Sequence, residues 1–134
     1  MPEYTQMGPE YAEVSAAVTA GQVLMPDTGG LVKPTTGAVA TVVGVARDDA
    51  SPASAGSPTN FATLRPEVAM YQAPYTVRCK FAADCDYGVR VTSAATGQVT
   101  PVGAAAASDG TQVIGICMER GGVTAGAFGL VKLV

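Results

Sequence analysis

A chain of 134 residues, 48% of them apolar, can bury about two-thirds of its unfolded surface in one domain. Its net charge is −3, it has no histidine and it has no run of Lys or Arg. That removes the commonest general base, the commonest transition-metal ligand and the basic patch that wraps nucleic acid. Ala, Val and Gly supply most of the apolar content, and sixteen Gly with nine Pro argue for many turns and against long helices. Charged residues make up only 14%, as expected when partners cover part of a surface. Cys79, Cys85 and Cys117 are odd in number and no secretory leader is visible at residues 1–6, so thiols made and kept in a reducing cytoplasm are expected, each a small buried hydrophobe. No apolar stretch approaches the roughly 20 residues that span a membrane.

Residues 1–9 are polar, hold Pro2 and Pro9, and read as an extended arm that continues to residue 20. Residues 10–20 fit two patterns. Tyr11, Val14 and Val18 have helical spacing, yet residues 14–19 also suit an edge strand, and Gly21 favours the extended reading. From residue 21 to 134 a single β domain is expected. Residues 22–25 make a short apolar strand ended by Pro26-Asp27-Thr28-Gly29-Gly30, and residues 31–33 make a second, closed by Pro34-Thr35-Thr36-Gly37. Residues 39–45, nearly all β-branched or small, read as a buried third strand. A Ser/Pro/Ala/Gly-rich loop runs from Asp49 to Pro66. After a strand at residues 67–71, Tyr75, Val77, Cys79 and Phe81 alternate with Thr76, Arg78 and Lys80, the mark of a half-buried strand. Further strands are expected at residues 89–92, 111–118 and 128–134, with one helical turn or a loop at residues 104–107.

The chain repeats itself. Gly21-Gln22-Val23-Leu24 corresponds to Gly88-Val89-Arg90-Val91, and Gly30-Leu31-Val32-Lys33-Pro34 to Gly97-Gln98-Val99-Thr100-Pro101, both about 67 residues apart. A few residues further out of step, Val42-Val43-Gly44-Val45-Ala46-Arg47 corresponds to Val113-Ile114-Gly115-Ile116-Cys117-Met118. Repeat units of about residues 21–50 and 88–120 follow. One such unit has too little apolar surface to form a core alone, so two facing units are expected to close a small sandwich or barrel. Gly44 and Gly115, inside strands, predict a bulge or a close backbone approach.

The run Val42-Val43-Gly44-Val45-Ala46-Arg47-Asp48-Asp49-Ala50 resembles a signature of the capsid decoration, or head-stabilising, proteins of tailed bacteriophages. The second copy at residues 113–126, the closing strand at residues 128–134 and the opening Ala17-Val18-Thr19-Ala20-Gly21-Gln22-Val23-Leu24 are similar to the same family, and the Ser/Pro loop departs from it. The resemblance implies an all-β virion protein on the capsid exterior, made in the host cytoplasm. It would bind the major capsid protein and stabilise the shell as a homo-oligomer, a trimer for preference. It implies no cofactor, no enzymatic activity and no direct contact with nucleic acid or membrane. The residues of the arm suit that role, because Tyr4, Met7 and Tyr11 carry the aromatic and Met side chains favoured at interface cores; folding back onto their own domain is the equal alternative.

Other chemistries find weaker footing. There is no P-loop, and the Gly-rich residues 121–129 precede a strand, which makes them a turn and not a phosphate cradle. Asp84-Cys85-Asp86-Tyr87-Gly88 lacks the later Gly and Glu of a calcium loop. Cys79 and Cys85 have no further Cys or His to complete a zinc site, and a nucleophilic Cys or Ser would lack its usual base. Asp48 and Asp49, adjacent on an extended chain, point to opposite faces and form no dyad. The alternative of a different class is a non-catalytic carrier or binding module, lipoyl- or biotinyl-like, which also duplicates a β unit. It needs a Lys at a hairpin tip, a place that neither Lys33 nor Lys132 fits well.

Overall fold

The computed structural model describes residues 10–52, 67–102 and 112–134. They form ten β-strands in two five-stranded antiparallel sheets, one from each half of the chain. The first half supplies β1 (Glu10–Glu13), β2 (Val23–Pro26), β3 (Val32–Pro34), β4 (Gly44–Ala46) and β5 (Glu67–Tyr71), in the order β1-β5-β4-β2-β3. The second supplies β6 (Thr76–Lys80), β7 (Arg90–Ser93), β8 (Val99–Pro101), β9 (Val113–Cys117) and β10 (Phe128–Leu133), in the order β6-β10-β9-β7-β8. The two orders are the same order, five strands apart. An all-β body built from two pseudo-symmetric strand units is therefore what the sequence folds into.

The duplication holds residue by residue. Leu24 lies opposite Gly44 and Pro34, as Val91 lies opposite Gly115 and Pro101. Tyr11 faces Ala69 as Arg78 faces Leu130. Outside the strands, parallel bridges join Val14 to Val32 and Phe81 to Val99, and antiparallel ones join Val18 to Ala50 and Cys85 to Val123. In each unit the residue just past the first strand thus bridges to the strand at the sheet's other edge. The sheet curls back on itself, which covers edges that would otherwise be free to pair.

The curl changes where the core sits. The first unit encloses an apolar cluster of its own, with Val14, Val18, Leu24, Val32, Val68 and Met70 at its centre. The second encloses Phe81, Cys85, Val91, Val99, Cys117 and Val131. The sequence predicts two facing units with one core in common; the curl instead lets each unit bury its own apolar face, while Val23 and Val45 reach from the first unit into the second cluster and the half-buried Val42 and Tyr71 pack against it. Residues 10–20, grouped with the arm by their sequence, belong to the first unit, since they carry β1 and the buried Val14 and Val18. The strand expected at residues 39–45 shortens to Gly44–Ala46 because the chain before it crosses to the other unit. Tyr75 leaves the buried stripe of Val77, Cys79 and Phe81; it is 47% exposed and lies against Tyr71, ring centroids 5.6 Å apart. The residue 104–107 reading and most of the Ser/Pro loop fall outside the described residues.

Candidate functional site

A protein whose work is contact carries its function on its faces, and the joint between the units decides which faces remain free. At that joint the β7–β8 turn of the second unit lies against β2 and the chain following β3. Val23 N–H donates to Gly97 O (2.8 Å), Gly97 N–H to Thr35 O (3.1 Å), and the Thr35 hydroxyl to Ala94 O (2.7 Å). Ser93 Oγ donates to Gly37 O at 2.9 Å and accepts from Val39 N–H at 3.1 Å. These bonds satisfy backbone groups that a turn would otherwise leave to water.

Among the described residues the pseudo-equivalent contacts are not made. A methyl on Gly97 would sit 2.6 Å from Gln22 Cβ, whereas one on Gly30, its counterpart in the β2–β3 turn, would meet nothing within 4 Å. A two-fold joint would bury both turns alike; this one is head-to-tail. The residues that receive the turn are asymmetric in the same sense. Val23 and Val45 are buried, but their counterparts are the exposed Arg90 and the half-buried Ile116, and Tyr71 corresponds to the exposed Lys132. Arg90 and Lys132 thus place exposed charge where the first unit presents Val23 and Tyr71.

The β1/β5 and β6/β10 faces differ in charge, and the second borders the joint, where Gly21 of the first unit lies beside Arg78 and Phe128. On the first, Glu13 lies directly opposite Glu67, with Tyr11 beside them and 62% exposed. On the second, the same rows hold Lys80 opposite Phe128 and Arg78 opposite Leu130, and Lys132 lies opposite Thr76. Arg78, Lys80 and Lys132 are exposed, as is Phe128 at 54%. Among the described residues the one ion pair is Lys33 with Asp27, at 3.8 Å, so neither cluster is neutralised within the described chain. The alternation of Arg78 and Lys80 is legible in the sequence; the pairing that sets Phe128 and Lys132 beside them, and Glu67 opposite Glu13, comes only with strand register.

Of the three arm residues singled out by the sequence, Tyr11 stands on the edge strand β1 and faces solvent, while Tyr4 and Met7 lie outside the described residues. Of the acidic residues weighed for other chemistry, Asp49 and Asp84 serve turns, whereas Asp48 buries its Oδ1 without a hydrogen-bond partner among the described residues. Asp49 accepts from Ala20 N–H and Asp84 from Ala125 N–H, both at 2.8 Å. Asp27 accepts from the Ser15 hydroxyl (2.6 Å) and from Thr28 N–H (2.8 Å); these bonds, with Lys33 nearby, hold its carboxyl below the usual carboxylate range. Lys33 sits in β3 and Lys132 in β10, so neither stands at a hairpin tip where a carrier module would need it. All three thiols are buried and free. Burial pushes Cys79 up to about 12, and burial together with its neighbour Cys117 does the same to Cys85.

No protein-family model matches the chain, and no curated protein matches it. Among solved structures it is similar to the N base of head fiber gp8.5 of bacteriophage phi29. The identity is 16% and the TM-score 0.64, and the likeness covers 93% of this chain and 92% of that one. At that identity the likeness is one of fold, and it extends over both β units.

Proposed function

We propose that this chain is a structural protein of a bacteriophage virion, which binds the outer surface of the capsid as a homo-oligomer and stabilises the shell. The single observation that carries the reading is the fold it has in common with the phi29 head fiber base along nearly the whole of both chains. The physical character of the molecule supports it. Two curled sheets give a β body that displays Glu13, Glu67, Arg78, Lys80 and Lys132 to solvent. The role needs contact surface and no reaction, so the chain is read as non-catalytic. An oligomer, a trimer for preference, would touch several copies of the major capsid protein at once. Weak contacts would then sum to strong retention, because each contact after the first is made at high effective concentration.

The test is sedimentation with particles. Purified protein mixed with assembled phage capsids should pellet with them, and mixed with unassembled capsid protein it should not. Equal behaviour with both, or no pelleting with either, would remove the reading.

A further inference from the structure

We propose that copies of this chain assemble by seating the β1/β5 face of one on the β6/β10 face of another, acid against base. Two like charges placed directly opposite across a sheet repel, and Glu13 with Glu67 is such a pair. On the other unit, Arg78, Lys80 and Lys132 crowd one outer face of a chain whose net charge is −3. Both arrangements weaken the isolated chain, and both are relieved when the opposite charge is brought to them. The two faces occupy corresponding rows of a duplicated fold and have diverged in opposite directions, Glu13 against Lys80 and Glu67 against Phe128. Each cluster also holds an exposed aromatic ring, Tyr11 on one and Phe128 on the other. A ring rimmed by charge is the usual anatomy of a protein interface.

The occupant follows from counting what each candidate satisfies. An acidic partner would satisfy the basic face and leave the Glu13–Glu67 pair exposed; a basic partner would do the reverse. A second copy of this chain satisfies both, since every copy carries both faces. The contact joins unlike surfaces, so its geometry decides whether assembly closes into a ring.

The proposal has only the homo-oligomer in common with the proposed function, and its test uses no capsids, so either can fail alone. Sedimentation velocity of the purified chain should show an oligomer that weakens as salt is raised. E13K/E67K and R78E/K80E should each weaken self-association by about a hundredfold or more, because like charges then meet across the contact. The fourfold variant E13K/E67K/R78E/K80E exchanges the two charges and should restore assembly. All four side chains are exposed on strands, and unchanged circular dichroism would show that each variant folds. A wild-type chain that stays monomeric would overturn the proposal. So would double variants that assemble like wild type, or a fourfold variant no better than the doubles.

Discussion

Gly44 and Gly115 occupy the same row of the two sheets, and neither position has room for a methyl group. A Cβ on Gly115 would lie 2.5 Å from Lys132 O, and one on Gly44 would lie 2.8 Å from Tyr71 O. Backbone cannot rotate away as a side chain can, so the strand pairing itself must shift. G115A should destabilise the fold by about 3 kcal/mol and G44A by somewhat less, read from urea midpoints. These glycines were legible in the sequence, because a Gly centred in an apolar strand gives up a packing side chain, a loss that a close backbone approach offsets. The thiols carry a second prediction, on pH. An unfolded thiol titrates near its ordinary value of 9.0, while the folded Cys79 holds its proton up to about 12. Between those values the folded state binds more protons than the unfolded one, so its stability falls as pH rises, by up to about 1.4 kcal/mol per pH unit. C79A, which copies the residue at the pseudo-equivalent Ala12, should flatten the decline between about pH 9 and pH 11 relative to wild type. The measurement is the difference in slope of unfolding free energy against pH, which is insensitive to any constant loss from the smaller side chain.

The turns make the sharpest comparison between elements. Gly30 and Gly97 end pseudo-equivalent hairpins with positive φ of 77° and 68°, so alanine at either pays the same left-handed penalty of about 1 kcal/mol. Only Gly97 is pressed against Gln22. G97A should therefore cost clearly more than G30A in thermal or urea unfolding, and equal losses would mean that the joint contributes little. Most strand positions and the duplication were readable in advance because they depend on local signals, turn residues at fixed spacing and short apolar runs between them. The head-to-tail joint was not, because residues 27–30 and 94–97 both read as turns and nothing in either says which one docks. Val14 and Val18 were ambiguous for a related reason. Their spacing fits a helix face, and only the bridges to Val32 and Ala50 pin them to an extended chain in the first core. Of the candidate interaction residues, Tyr11 is exposed on β1. The charged faces around it needed strand register, which pairs residues more than fifty positions apart.

The two units are bound by few side chains, yet those few are placed where they control the whole molecule. Each unit has its own core, so each has apolar burial enough to hold some structure alone. What couples them is Val23 and Val45 entering the second cluster, with Val42 and Tyr71 packed against it, together with the backbone bonds of the docked turn. Because both valines are almost wholly buried, truncating either to alanine should cost about 2 kcal/mol. Position matters more than magnitude here. These side chains point away from the first core, so their loss leaves the packing of Leu24, Val68 and Met70 in place and loosens only the attachment between units. Wild-type protein should therefore unfold in one transition seen alike by every probe, while V23A/V45A should broaden it or split it in two. Calorimetry decides the matter by comparing the measured unfolding enthalpy with the van't Hoff value: near-equality in wild type and a clear excess in the double variant. A double variant that loses stability yet keeps the two enthalpies equal would mean that neither unit stands without the other, and that the duplicated halves form one indivisible folding unit.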